Sequence, residues 1–167
     1  RLGLNLSNEN LFVKSLSLPA AKPATDVARN GVLLKQGEKI SGVNVTLAEG
    51  AASLRGKVST NNEGARLPSR LRIHLLPAEA TAADDLLRYS EKLAASDGSF
   101  AFTNLAPGKY LLLAKTVADN EPADRSPSPV AWDAAERMKL RKEAEAAKNE
   151  VELKSCQRIK EIGRAHV

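Results

Sequence analysis

The sequence predicts a mainly β protein, a β-sandwich with one surface helix near the C-terminus. In several short segments apolar and polar residues alternate with a period of two, so each segment would bury one face and expose the other. Turn-forming pairs such as Asp97-Gly98 and Pro107-Gly108 separate these segments. One later stretch, 133–148, is rich in Ala, Glu, Lys and Arg, which favours a helix.

The first third of the chain contains two candidate strands. Residues 11–18 combine β-branched and aromatic side chains. Asn30-Gly31 marks a turn after a loop rich in Pro, Ala and Lys. A second strand is predicted for 40–47, where every second residue from Val43 to Leu47 is apolar. That alternation predicts one buried face and one solvated face.

The middle of the chain gives the clearest strand signals. Apolar and polar residues alternate over 52–58 and again over 71–75. The block 97–115 predicts a compact hairpin, with Phe100 and Phe102 on one side of its first strand. Its second strand is apolar on both faces, which is typical of a central strand. Within the insert 78–93, the stretch 81–93 is compatible with a short helical turn or with a loop.

The predicted helix, 133–148, has a thin apolar stripe and two charge pairs spaced by four residues, Asp133–Arg137 and Lys139–Glu143. We expect it to lie on the surface of the sandwich, held there by Trp132. Val151 and Leu153 alternate with charged residues and predict a closing strand.

Composition excludes several function classes. A hydrophobic fraction of 43% over 167 residues supports a packed core, and no apolar run approaches the roughly 18 residues that span a bilayer. The net charge is +5, but basic residues are scattered among acids and aromatics make up only 4%, which argues against nucleic-acid binding. Cys156 is the single cysteine, so the chain cannot form an internal disulfide or a cysteine metal cage.

No set of residues predicts catalysis. His166 belongs to the terminal segment 161–167, which is interpreted as non-native, so His74 is the histidine left for a catalytic role. The alternation over 71–75 places His74 on the exposed face of a strand. No Gly-x-Ser-x-Gly, Walker-type loop or His-Glu-x-x-His occurs. The sequence therefore predicts no catalytic residue, no cofactor and no enzyme activity.

Two ligand types remain conceivable. Glu79, Asp84, Asp85 and Glu91 could gather around a cation, but their spacing fits no known calcium loop, and a solvated polar insert is the favoured interpretation. Trp132 and Tyr89 are the candidates for stacking against a sugar ring, although Trp132 more readily serves as the anchor of the helix.

The segment 97–110, Asp-Gly-Ser-Phe-Ala-Phe-Thr-Asn-Leu-Ala-Pro-Gly-Lys-Tyr, resembles the signature of carboxypeptidase regulatory-like domains. The segment 52–58 is similar to the opening strand of that family, and 12–47 is similar to the end of another such module. The resemblance implies a Greek-key β-sandwich of the prealbumin-like or carbohydrate-binding-like type. It also implies tandem modules, with 1–49 closing a preceding sandwich and 50–160 forming the next.

The same resemblance implies a function. Such domains are non-catalytic structural or interaction modules of larger exported bacterial proteins. We therefore expect a secreted, periplasmic or cell-surface location, with neighbouring domains or cell-envelope proteins as partners. The alternative is a carbohydrate-binding module, as in related starch-binding-like folds. Fold alone does not decide between these roles.

The last residues are predicted to be foreign to the protein. Ile162–Val167 match the translation of a common short-read sequencing adapter, so 161–167 are interpreted as a non-native tail. The chain begins with Arg1 and is interpreted as an internal fragment.

Overall fold

The computed structural model describes residues 6–18, 25–32, 35–60, 67–117 and 133–160. These residues form strands and two α-helices, α1 (Val27–Asn30) and α2 (Ala134–Ala147). The strands are β1 (Leu11–Leu18), β2 (Thr25–Asp26), β3 (Asn44–Glu49), β4 (Ala52–Lys57), β5 (Leu71–Pro77), β6 (Ser90–Leu93), β7 (Ser99–Leu105), β8 (Gly108–Thr116), β9 (Glu150–Leu153) and β10 (Arg158–Lys160).

The strands form three sheets. The first has the order β2-β1-β3, the second β10-β4-β7 and the third β6-β5-β8-β9. All pairs are antiparallel except β10–β4, which is parallel. The second and third sheets pack face to face as the sandwich, and the first precedes them in the chain. The predicted fold class, a mainly β sandwich with a helix near its C-terminus, is confirmed.

The alternating segments build the core between the two sandwich sheets. Ile73 and Leu75 of β5 face Leu54 of β4 and Phe102 of β7, and all four are almost completely buried. The rings of Phe100 and Phe102 meet edge to face with centroids 5.9 Å apart. β8 lies between β5 and β9, which confirms the predicted central strand.

The predicted hairpin over 97–115 is wrong. β7 and β8 belong to different sheets, so the chain crosses from one layer to the other between Leu105 and Gly108. The reason lies in the core: Phe102 of β7 and Tyr110 of β8 fill the same interior from opposite sides. Two strands that bury their side chains against each other must lie in opposed layers.

The predicted strand over 40–47 is shifted to Asn44–Glu49. Gly42 has φ +79°, which interrupts the extended backbone before the strand. The predicted burial is also wrong, because Val45 and Leu47 are 38% and 42% exposed. β10 was missed because its three residues are too short to show alternation.

The helix α2 begins after Asp133, whose carboxylate accepts hydrogen bonds from Ala135 N (2.8 Å) and Glu136 N (3.1 Å). It packs on the outer face of the four-stranded sheet through Leu140 and Ala144. Trp132, the expected anchor, lies outside the described residues, as does the tail 161–167.

The insert 78–93 forms two short 3-10 turns and the edge strand β6. The sequence predicted a helical turn or a loop in this insert, and neither expectation included the strand. Among the described residues no helix has the length and apolar character that a membrane span requires.

Candidate functional site

A polar layer lies between β5 and α2. Alternation along β5 sends Ile73 into the core and its neighbours Arg72 and His74 to the outer face, where His74 and Leu140 of α2 line the same small cavity. Glu91 of β6 lies beside both: its Oε2 is 3.4 Å from His74 Nδ1 and its Oε1 is 3.4 Å from Arg72 Nη1. His74 is only 6% exposed, so the prediction of a surface histidine is wrong.

The electrostatics of this layer keep His74 neutral. Burial, followed by the positive charges of Arg72 and Lys115, lowers the pKa of His74 from 6.5 to about 4, while the charge of Glu143 opposes the shift. Lys115 Nζ in turn donates to Glu143 Oε2 at 2.6 Å, which ties β8 to α2. An imidazole with so low a pKa is a weak base at neutral pH.

The cavity beside His74 is small. Its volume is about 20 Å³, which accommodates about one water molecule. Its lining is His74, Leu75, Leu76, Tyr89, Ser90, Glu91 and Leu140. A cavity of this size holds no organic substrate.

Of the two residues predicted to stack against a sugar ring, Tyr89 and Trp132, the structure describes Tyr89. Tyr89 is half-buried, its ring packs against the cluster that contains Leu76 and Leu140, and its hydroxyl donates to the carbonyl of Ala83 at 2.7 Å. Burial raises the pKa of the Tyr89 hydroxyl. Trp132 lies outside the described residues.

The four acids of the insert are each engaged elsewhere and do not gather. Within the described ranges, no three His, Cys, Asp or Glu side chains are placed to hold a metal ion. Their contacts are Glu79 with Arg88 (3.5 Å), Asp84 with Arg137 (3.6 Å), Asp85 with Leu87 N (3.1 Å) and Glu91 with Arg72 (3.4 Å). The interpretation of a solvated polar insert is wrong for Glu91, whose side chain is only 12% exposed.

Sequence reasoning missed a joint between the first sheet and the sandwich. Asn104 of β7 donates through Nδ2 to the carbonyls of Asn8 (2.8 Å) and Leu11 (2.7 Å). Its φ is +57°, a conformation that asparagine tolerates better than most residues. The only signal in the sequence was an asparagine near the end of an apolar strand.

The connection between β3 and β4 is bonded into the same joint. Ala51 N donates to Asn10 O (3.0 Å), and Cys156 N donates to Gly50 O (3.1 Å). Gly50 has φ +91°, and a Cβ at this position would collide with the side-chain oxygen of Ser155. The Cys156 thiol is exposed and lies 3.7 Å from Asn10 Oδ1. The joint therefore combines backbone and side-chain contacts from three parts of the chain.

The first sheet carries an exposed apolar face. Val45 and Leu47 of β3 lie opposite Leu16 and Val13 of β1, so their side chains share one face. Val45 and Leu47, with the adjacent Val43, are more than a third exposed. Among the described residues, these three side chains are therefore much less covered than those in the core of the sandwich.

Comparison with known proteins identifies no relative: no family model matches the chain, and no curated protein matches it. The resemblance to carboxypeptidase regulatory-like domains therefore stays a prediction.

Proposed function

We propose that this chain is a non-catalytic structural module of a larger exported bacterial protein, and that it holds neighbouring β units in a fixed relative orientation. The observation that carries the proposal is the joint around Asn104. Two hydrogen bonds from the Asn104 amide connect the start of β1, in the first sheet, to β7, in the sandwich. The bonded residues are more than 90 positions apart in the chain.

Further contacts distribute the joint over a wider surface. Arg29 Nη1 donates to Thr81 O at 3.1 Å, so α1 is bonded to the insert as well. At the other side, Arg158 of β10 lies 3.8 Å from Glu9, although both side chains are largely exposed and add little energy. Contacts on both sides of a short connection resist hinge motion better than a single contact does.

The domain arrangement that we propose has 1–49 as the closing strands of a preceding sandwich and 50–160 as the next module. The exposed apolar face of β1 and β3 supports it, because a sheet with one apolar face normally packs against a second layer. On this view the face around Val45 and Leu47 is where the rest of the preceding module packs.

The proposed location and partners follow from the same architecture. Tandem sandwiches with rigid joints are suited to spacing or displaying other domains outside the cytoplasm. Neighbouring domains of the same polypeptide or cell-envelope proteins are the proposed partners. The small cavity beside His74 supports a non-catalytic role, since it admits no substrate.

The proposal can be tested by NMR residual dipolar couplings. In the wild-type chain, amides of β1 and β3 should fit the same alignment tensor as amides of β4 and β7. Asn104→Asp replaces the donating amide by a carboxylate facing two carbonyl oxygens, and should require a second tensor for the first sheet. Asn44→Asp, the same change on the exposed β3, is the matched control. Separate tensors in the wild-type protein would refute the fixed orientation.

The carbohydrate-binding alternative has no specific observation in its favour. The Tyr89 ring contributes to packing beneath α2, and Trp132 lies outside the described residues. Sugar stacking at these two residues stays a prediction.

A further inference from the structure

The interface between α2 and the sheet combines apolar and polar contacts. Leu140 and Ala144 of the helix form a cluster with Leu76 and Leu111, against which Ala78, Tyr89 and Leu113 also pack. Polar contacts add to this cluster, since the Arg141 guanidinium donates to the carbonyls of Pro77 and Ala78 at the end of β5. The position of the helix therefore depends on charged groups as well as on apolar burial.

The charges around His74 come from every element that packs on it. Arg72 lies on its own strand, Glu91 on β6, Lys115 on β8 and Glu143 on α2. Two cations thus face two anions, and the pairs Arg72–Glu91 and Lys115–Glu143 are each in contact. With His74 neutral, the layer carries no net charge.

Protonation of His74 would disturb this balance. It would add a third cation to a layer in which the two carboxylates are already paired, at a site shielded from water. Glu91, whose Oε2 is 3.4 Å from His74 Nδ1, is the nearest anion, but it already faces Arg72, so three cations would share two carboxylates. A buried charge that is only partly compensated is costly, and the cost is relieved when the covering element moves away and water enters. The covering element here is α2, which contributes Leu140 to the cavity beside His74.

We propose that His74 makes the docking of α2 acid-sensitive, so that its protonation releases the helix from the outer face of the four-stranded sheet while the sandwich core remains folded. The core should stay folded because it lies on the opposite face of β5 from α2, where it contains Leu54, Ile73 and Phe102. This inference concerns a different part of the molecule from the joint and does not depend on the proposed function.

The sign of the effect follows from the two states of the imidazole. In the docked state the pKa of His74 is lowered to about 4, whereas in the released state it should return towards 6.5. The released state therefore binds the proton more tightly. Docking is at full strength above pH 6.5 and weakens as the pH falls towards 4. Between pH 7 and 5 the ratio of released to docked helix should rise about 20-fold.

The test is hydrogen exchange of the α2 amides, measured by NMR at pH 7, 6 and 5 and corrected for the intrinsic exchange rate. Protection of amides near Leu140 and Ala144 should fall about 20-fold between pH 7 and 5 in the wild-type chain. Protection of β4 and β7 amides should change much less. His74→Gln keeps a donor of similar size but cannot be protonated in this range, so its α2 protection should be nearly independent of pH.

Three results would overturn the proposal. One is an equal loss of α2 protection in the wild type and in His74→Gln. Another is an equal loss in α2 and in the core strands, since release would then be global unfolding. The third is a direct NMR titration in which the His74 imidazole of the wild type has a pKa near 6.5, and this measurement serves if the variant does not fold.

Discussion

The buried hydroxyl of Tyr110 offers a test of the core that depends on pH in a specific way. Tyr110 is 1% exposed and donates to the carbonyl of Ala106 at 2.7 Å. The Arg88 guanidinium lies over its ring, 5.1 Å from the centroid. Burial raises the pKa of the hydroxyl from 10 to about 12. Tyr110→Phe removes the hydroxyl while it keeps the ring and its cation–π contact.

At neutral pH the substitution should lower the free energy of unfolding by about 1 kcal/mol. That is the typical net contribution of one hydrogen bond, and its range is about 0.5–1.5 kcal/mol. The loss of packing should be small, because only one atom leaves the core.

At high pH the order of stability should reverse. The folded state holds the Tyr110 proton more tightly than the unfolded state, so the wild type is at full stability below pH 10 and loses stability as the pH rises from 10 towards 12. At pH 11 this loss is about 1.4 kcal/mol, or one pKa unit, and the phenylalanine variant does not suffer it. The two proteins should therefore be equally stable at about pH 10.7, and the phenylalanine variant should be more stable by about 0.4 kcal/mol at pH 11.

Urea denaturation followed by circular dichroism at pH 7, 9, 10 and 11 measures this difference. The chain has two tyrosines, so Tyr89→Phe is the control for the other hydroxyl. Absorbance of the phenolate near 295 nm reports the ionisation directly. A difference between wild type and Tyr110→Phe that stays constant from pH 7 to 11 would refute the assignment of a buried, protonated hydroxyl.

Three further outcomes are expected. Leu140→Ala should lower the free energy of unfolding by about 2–4 kcal/mol, whereas Met138→Ala on the same helix, at a position 66% exposed, should change it by less than about 0.5 kcal/mol in urea titrations. Gly98→Ala should lower the thermal midpoint by several degrees or more in calorimetry, because φ is +83° and the new Cβ would lie 2.8 Å from the carbonyl oxygen of Val58. A glycan array should show no binding by the wild type; binding that is lost in Trp132→Ala would instead establish the carbohydrate-binding alternative.

Local alternation predicted which residues enter the core, but not which strands face each other. The buried positions of β4, β5 and β7 follow from a period of two that the sequence displays directly. Strand partners depend on contacts distant in the chain, and two strands joined by a short turn can form a hairpin or change layers. The sequence around Phe102 and Tyr110 is compatible with either arrangement, and only their packing in one core cluster requires the change of layer. The Asn104 joint was unpredictable for the same reason, since its partners lie near residue 10.

The misplacement of His74 had a different cause, and the sequence held the information to avoid it. A polar residue that alternates with core residues faces solvent only if nothing covers that side of the sheet. β8 is apolar on both faces, which already indicates cover on both sides, and the single long amphipathic helix is the natural cover. His74 lies opposite Leu113 on β8 and shares that outer face. Once α2 is placed over β8, the histidine must lie in a layer shielded from water, where burial and then the charges of Arg72 and Lys115 lower its pKa.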